Sequence, residues 1–165
     1  MNGQGSAELP EVRRLELPNA QLLEQVRRVI QEGHTATIQV KGYSMRPFLE
    51  HGRDKVVLAR PERTDVGDAV LAEVAAGVYV LHRIVAVSGD ELTLMGDGNL
   101  RGTEHCRRSD VAGVVTHYVY PRRTVAASDR CLCRCIRLWR RLLPVRRVLL
   151  LVYKIGLKIE NRLKK

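Results

Sequence analysis

Apolar residues change their period twice along this chain, and the changes divide it. Leu22, Leu23, Val26 and Ile30 recur at three- and four-residue spacing, the mark of one helical face. Asn19 stands where an N-cap belongs and Gly33 where a helix stops. A helix of about 13 residues is therefore expected within residues 18–34. From Thr35 the pattern becomes that of short strands: Thr35–Val40, Lys55–Arg60, Ala69–Val74, Val78–Val87, Glu91–Met95 and Val111–Tyr120. Turn residues separate them, as in Gly52-Arg53-Asp54, Asp65-Val66-Gly67-Asp68, Ala76-Gly77, Ser88-Gly89-Asp90 and Gly96-Asp97-Gly98-Asn99. Short strands between Gly/Asp turns predict a compact, mainly β (α+β) domain rather than alternating β/α units.

After Pro121 helical spacing returns. Arg130, Arg134, Arg137 and Arg141 follow one another at steps of four and three, with Leu132, Ile136, Trp139 and Leu143 opposite. Pro144 ends that helix, and Val148–Leu157 opens a second apolar segment with a basic end. The expected organisation is a flexible N-terminus at 1–17, a helix at 18–34, a β domain at 35–121 and a basic, amphipathic helical tail at 122–165.

Charge sharpens this division. The net charge of +10 belongs to the tail: residues 121–165 hold 14 Lys/Arg against 2 Asp/Glu, while residues 1–120 hold 14 against 16. A basic tail beside a near-neutral body points to an anionic partner. Its apolar second face favours an anionic membrane surface, met through residues 130–165, over nucleic acid. Aromatic residues make up only 4%, so Val, Leu, Ile and Ala must build the core.

Four cysteines occur, Cys106, Cys131, Cys133 and Cys135. Their spacing is not that of a secreted disulfide framework. Cys-x-Cys-x-Cys lacks a matching second ligand pair, so neither a metal nor another cofactor is expected. The opening residues are polar and do not read as a signal peptide. The apolar run Val148–Tyr153 is far below the ~20 residues of a spanning helix. A cytoplasmic protein, peripheral at the membrane, is the expectation.

Three segments carry candidate chemistry. In Gly42-Tyr43-Ser44-Met45-Arg46-Pro47-Phe48-Leu49, a hydroxyl sits between an apolar strand and a turn. In Tyr79-Val80-Leu81-His82-Arg83-Ile84-Val85, a histidine interrupts an apolar strand. Met95-Gly96-Asp97-Gly98-Asn99 is a tight turn after a strand. His105 reads as a residue of a polar loop and His117 as a structural residue of the last strand.

Taken in order, Ser-Met-x-Pro, Gly-Asp-Ala-Val at 67–70, His-Arg-Ile and Gly-Asp-x-Asn resemble the signal peptidase I and LexA superfamily of serine peptidases. The resemblance runs from about Ile38 to Val119. It implies that superfamily's complex β-fold and makes Ser44 the nucleophile. No Lys lies between Lys55 and Lys154, so the usual lysine base is missing, and His82 stands in its place. His followed by Arg is the pattern of the endoplasmic-reticulum type of signal peptidase. Histidine, with an ordinary pKa of about 6.5, can work as a base near neutral pH without deep burial.

The acidic third member is expected at Asp97, which matches the motif's own Asp, with Glu104 as the alternative. The implied function is a serine endopeptidase acting on a leader or signal-like peptide. A self-cleaving LexA-like regulator is disfavoured, because no Ala-Gly or Cys-Gly precedes Ser44. An inactive peptide-binding module with a nucleic-acid- or membrane-binding tail is the remaining alternative.

Overall fold

A computed structural model describes residues 19–163, with side chains at 21–159. The expectation of a flexible N-terminus at 1–17 lies outside the described residues. Among those described, three helices and eight strands form a mainly antiparallel β architecture.

Helix α1 spans Asn19–Gln31. It stops at Gly33, which takes a φ of 91° that a side chain would disfavour. Gly33 N–H donates to Ile30 O and His34 N–H to Val29 O, satisfying carbonyls the helix leaves open. Val26 and Ile30 on its apolar face are buried against the sheet.

The strands are β1 (Ala36–Gln39), β2 (Lys55–Ala59), β3 (Ala69–Ala75), β4 (Val78–Ser88), β5 (Glu91–Met95), β6 (Glu104–Arg107), β7 (Val111–Tyr120) and β8 (Arg123–Ala126). Their order is β1-β2-β7-β3-β4-β5-β6, with β8 also paired to β7. Long β7 pairs with three strands along its length. Its start pairs with β3 and its end with β8, while β2 lies beside most of it.

Six strands fall where the hydrophobic pattern puts them. β6 and β8 do not, because Glu-His-Cys-Arg and Arg-Thr-Val-Ala are too short and polar to show a period. His105 accordingly lies in a strand, not in a loop, though it is exposed. The sheet continues to Ala126, past the expected domain edge at residue 121.

Both faces of the sheet are covered. One hydrophobic cluster joins α1 to Val56, Leu58, Ala69, Leu71, Val115 and Tyr118, together with Met45 and Leu49 of the Ser44 turn. The other joins Val70, Ala72, Ile84, Leu92, Leu94, Cys106 and Val111. β3 alternates between the two and is buried along its first four residues, as a strand covered on both sides must be.

The tail forms α2 (Arg130–Arg141), a 3₁₀ turn at Leu143–Val145 and α3 (Arg146–Leu163). Asp129 caps α2, its carboxylate accepting from Leu132 N–H at 2.8 Å. The break at Pro144 is as expected. No helix among the described residues is long and apolar enough to cross a membrane.

Candidate active site

The Ser44 turn follows β1 directly. Phe48 and Leu49 N–H groups donate to Met45 O at 3.1 and 3.0 Å, and Arg46 N–H to Tyr43 O at 3.3 Å, winding residues 43–49 tightly. The Arg46–Pro47 bond is cis. Met45 and Leu49 are buried and anchor the turn, leaving Ser44 half-buried beside exposed Tyr43. The way out is pinned by fully buried Asp54, whose carboxylate accepts from Glu50 N–H at 2.8 Å. Arg46 donates to Glu50 (Nε–Oε2 2.9 Å) and lies over the Tyr43 ring.

The 96–99 loop rests directly on this turn. Gly98 N–H donates to Ser44 O at 2.6 Å. A Cβ on Gly96 would lie 2.5 Å from Ser44 O and 2.9 Å from Ser44 Cβ; one on Gly98 would lie 2.9 Å from Tyr43 O. Side chains at these two positions would strike the backbone that presents Ser44. In this motif both glycines serve close backbone approach.

Strand alternation sorts the remaining groups. In the β4–β5 register Arg83 faces Met95, and Ile84 faces Leu94. Leu94 in turn faces Glu104 on β6. Continuing the β4–β5 register by one residue sets His82 opposite Gly96. Side chains at 82, 84, 94, 96 and 104 therefore share one face, and those at 83, 95 and 97 share the other.

The contacts follow that division. His82 Nδ1 lies 2.8 Å from Glu104 Oε2. Arg83 Nε lies 2.8 Å from Asp97 Oδ1, and its Nη2 lies 2.6 Å from Asp97 Oδ2. Ser44 Cβ occupies the space where a Gly96 side chain would project, on the His82 face. Directly opposed cross-strand side chains have Cβ atoms ~5 Å apart. Ser44 is thereby placed on the sheet face that carries His82 and Glu104.

This corrects the expected third residue. Asp97 does not reach His82; its carboxylate is on the opposite face and engaged by Arg83. Glu104, the alternative, is the acid that meets the histidine. His82 is 6% exposed, and the Glu104 side chain retains 32%. The Arg83–Asp97 pair is buried, and Gly67 O accepts from Arg83 Nη1 at 2.7 Å. Burial alone would pull the Arg83 pKa down; the Asp97 charge and neighbouring Tyr118 outweigh it and hold it above its ordinary value.

The tail closes the back of the site. Trp139 Nε1 donates to Asp97 O at 2.7 Å, and its ring meets Phe48 edge-on. Arg146 Nη1 donates to Asn99 O at 3.0 Å, and Tyr153 OH to Glu50 Oε2 at 3.2 Å. Sequence reasoning missed Trp139 and Arg146 as supports of the 96–99 loop, and Tyr153 as a support of the Ser44 turn at Glu50. Trp139 beside Leu132 and Ile136 was legible as an apolar face, but not what it would cover.

His117 is exposed on β7, beside Thr116. Cys131 and Cys135 are exposed on α2, and the Cys133 thiol donates to Ala127 O. A groove of about 1090 Å³ lies on the tail side, bordered by Phe48, Arg53, Arg123, Leu132 and Tyr153; neither Ser44 nor His82 lines it. Compared with known proteins, the chain matches no family model and no curated protein sequence.

Proposed function

We propose that this protein is a serine endopeptidase of the signal-peptidase and LexA type, acting through Ser44, His82 and Glu104. The observation that carries the reading is the His82–Glu104 contact on the sheet face where Ser44 Cβ fills the place of a Gly96 side chain. A serine hydroxyl is a weak nucleophile until a positioned base takes its proton. Glu104 at Nδ1 selects the tautomer whose Nε2 is free to accept, and it stabilises the imidazolium that follows.

In this mechanism Ser44 Oγ attacks the peptide carbonyl carbon and His82 Nε2 takes its proton. The tetrahedral intermediate collapses as His82 passes the proton to the leaving amine. Water, deprotonated in turn by His82, then releases the acyl group. The Ser44 backbone N–H is the proposed oxyanion donor, a contribution of ~3 kcal/mol where such donors have been removed. The substrate is a peptide in extended form. β1 is an edge strand leading straight into the Ser44 turn, and a strand added there would pass the nucleophile.

A fluorophosphonate probe tests this without knowledge of the substrate. The intact protein should label at Ser44, shown by peptide mapping. Ser44→Ala should abolish labelling, and His82→Ala should slow it about 10³-fold. Absent labelling, or labelling indifferent to His82→Ala, would return the protein to the class of inactive peptide-binding modules.

A further inference from the structure

Helix α3 is apolar on two opposite sides, and only one of them is used. Arg146, Leu150, Tyr153 and Leu157 turn toward the rest of the protein, where Arg146 and Leu150 are buried. Val148, Leu151, Val152, Ile155 and Ile159 are each 50–62% exposed. At about 3.6 residues per turn these five fall in one arc, opposite the docked side. A contiguous aliphatic stripe in water marks an interaction surface. Exposed Arg147, Lys154 and Lys158 line one border of it.

α2 is different. Its Leu132, Ile136 and Trp139 face the protein's own domain, so the apolar side expected to enter a membrane is spent on docking. Among the described residues of the two tail helices, Leu138 is the one large apolar side chain exposed on α2, while α3 carries the free aliphatic stripe.

We propose that α3 lies in the surface of an anionic lipid bilayer, its five aliphatic side chains entering the acyl boundary and its basic border meeting headgroups. Charge selects this occupant. Residues 121–165 carry 14 Lys/Arg against 2 Asp/Glu. A second copy would bring two such tails together, and like charges oppose that. Nucleic acid would answer the charge and leave the aliphatic stripe in water. An anionic bilayer answers both, and an in-plane helix needs no membrane-spanning length. This inference is independent of the catalytic reading, since Ser44 and His82 take no part in it.

Vesicle co-sedimentation of the full chain tests it, with vesicles of phosphatidylcholine alone or mixed with phosphatidylglycerol. The protein should partition onto the mixed vesicles at least about tenfold more strongly. Leu151→Gln with Ile155→Gln should remove binding. Lys154→Glu with Lys158→Glu should weaken it about 10²-fold. All four positions are exposed, and unchanged thermal unfolding would show that each variant folds. If the glutamine variant proves insoluble, the charge variant still decides.

The proposal is overturned by no partition onto anionic vesicles, by equal partition of the glutamine variant, or by a lipid-free dimer that the glutamine changes dissociate, which would assign the stripe to a second copy. Tighter binding to duplex DNA than to vesicles at physiological salt would overturn it in favour of nucleic acid.

Discussion

His82 and Arg83 are neighbours in β4, yet their side chains work on opposite faces of the sheet. His82 meets Glu104, and Arg83 meets Asp97. The two pairs answer differently to mutation. Asp97→Asn leaves Arg83 buried without its counter-charge, a change that costs ~3–5 kcal/mol in comparable pairs. Glu104 is one-third exposed, so Glu104→Gln should shift stability by less than ~1 kcal/mol. Glu104→Gln should instead slow fluorophosphonate labelling of Ser44 by about 10² or more, through the lost tautomer and imidazolium support. Urea unfolding and labelling rates on the same samples check the split. A stable Asp97→Asn beside an unaffected Glu104→Gln would remove the assignment. The parity that separates the pairs was available in the sequence for His82 and Arg83. It was not available for Glu104, because β6 shows no hydrophobic period and its register to β5 is a tertiary fact.

At the scale of elements, the Ser44 turn and the 96–99 loop are fitted backbone to backbone. Gly96→Ala would place a methyl group 2.5 Å from Ser44 O, so one of the two segments must move. The variant should fold with a thermal midpoint lowered by several degrees and should label at Ser44 about 10²-fold more slowly, since ~1 Å of displacement is enough for that. Gly156→Ala is the matched control. Its Cβ would meet nothing within 4 Å, and alanine favours the interior of α3 by up to about 1 kcal/mol. Equal labelling by the two variants would mean the loop does not position the nucleophile. Here too the sequence showed only part. Gly-Asp-Gly-Asn is visible as a turn, but that its glycines are needed for contact with residue 44 depends on segments about 50 positions apart. Likewise α2 shows its amphipathic face in the sequence, while its docking onto Phe48 and Asp97 becomes visible only once the sheet has formed.

For the whole molecule, the near-neutral body and the basic tail form one folded unit, and its stability should depend on alkaline pH in a defined way. Burial pushes the Tyr120 phenol up to about 12. Burial likewise raises the Tyr118 phenol, against the lowering effect of adjacent Arg83. Tyr153 is raised by burial and by the Glu50 carboxylate it contacts. In an unfolded chain these phenols ionise near pH 10. Above that pH the unfolded state binds fewer protons than the native state, so stability must fall as pH rises. The contribution is complete below pH 10 and is lost progressively through about 12. The Cys106 thiol, raised to about 11 by burial and by Asp110, begins the same loss from its ordinary value near 9. The urea midpoint should therefore decline between pH 9 and 12, and Tyr120→Phe should make that decline shallower. Phenolate absorbance at 295 nm should show Tyr118, Tyr120 and Tyr153 ionising late. A titration complete by about pH 10.5, or a midpoint flat across the window, would mean the tyrosines at the sheet and tail are open to water. Close packing of the tail on the sheet would then be ruled out.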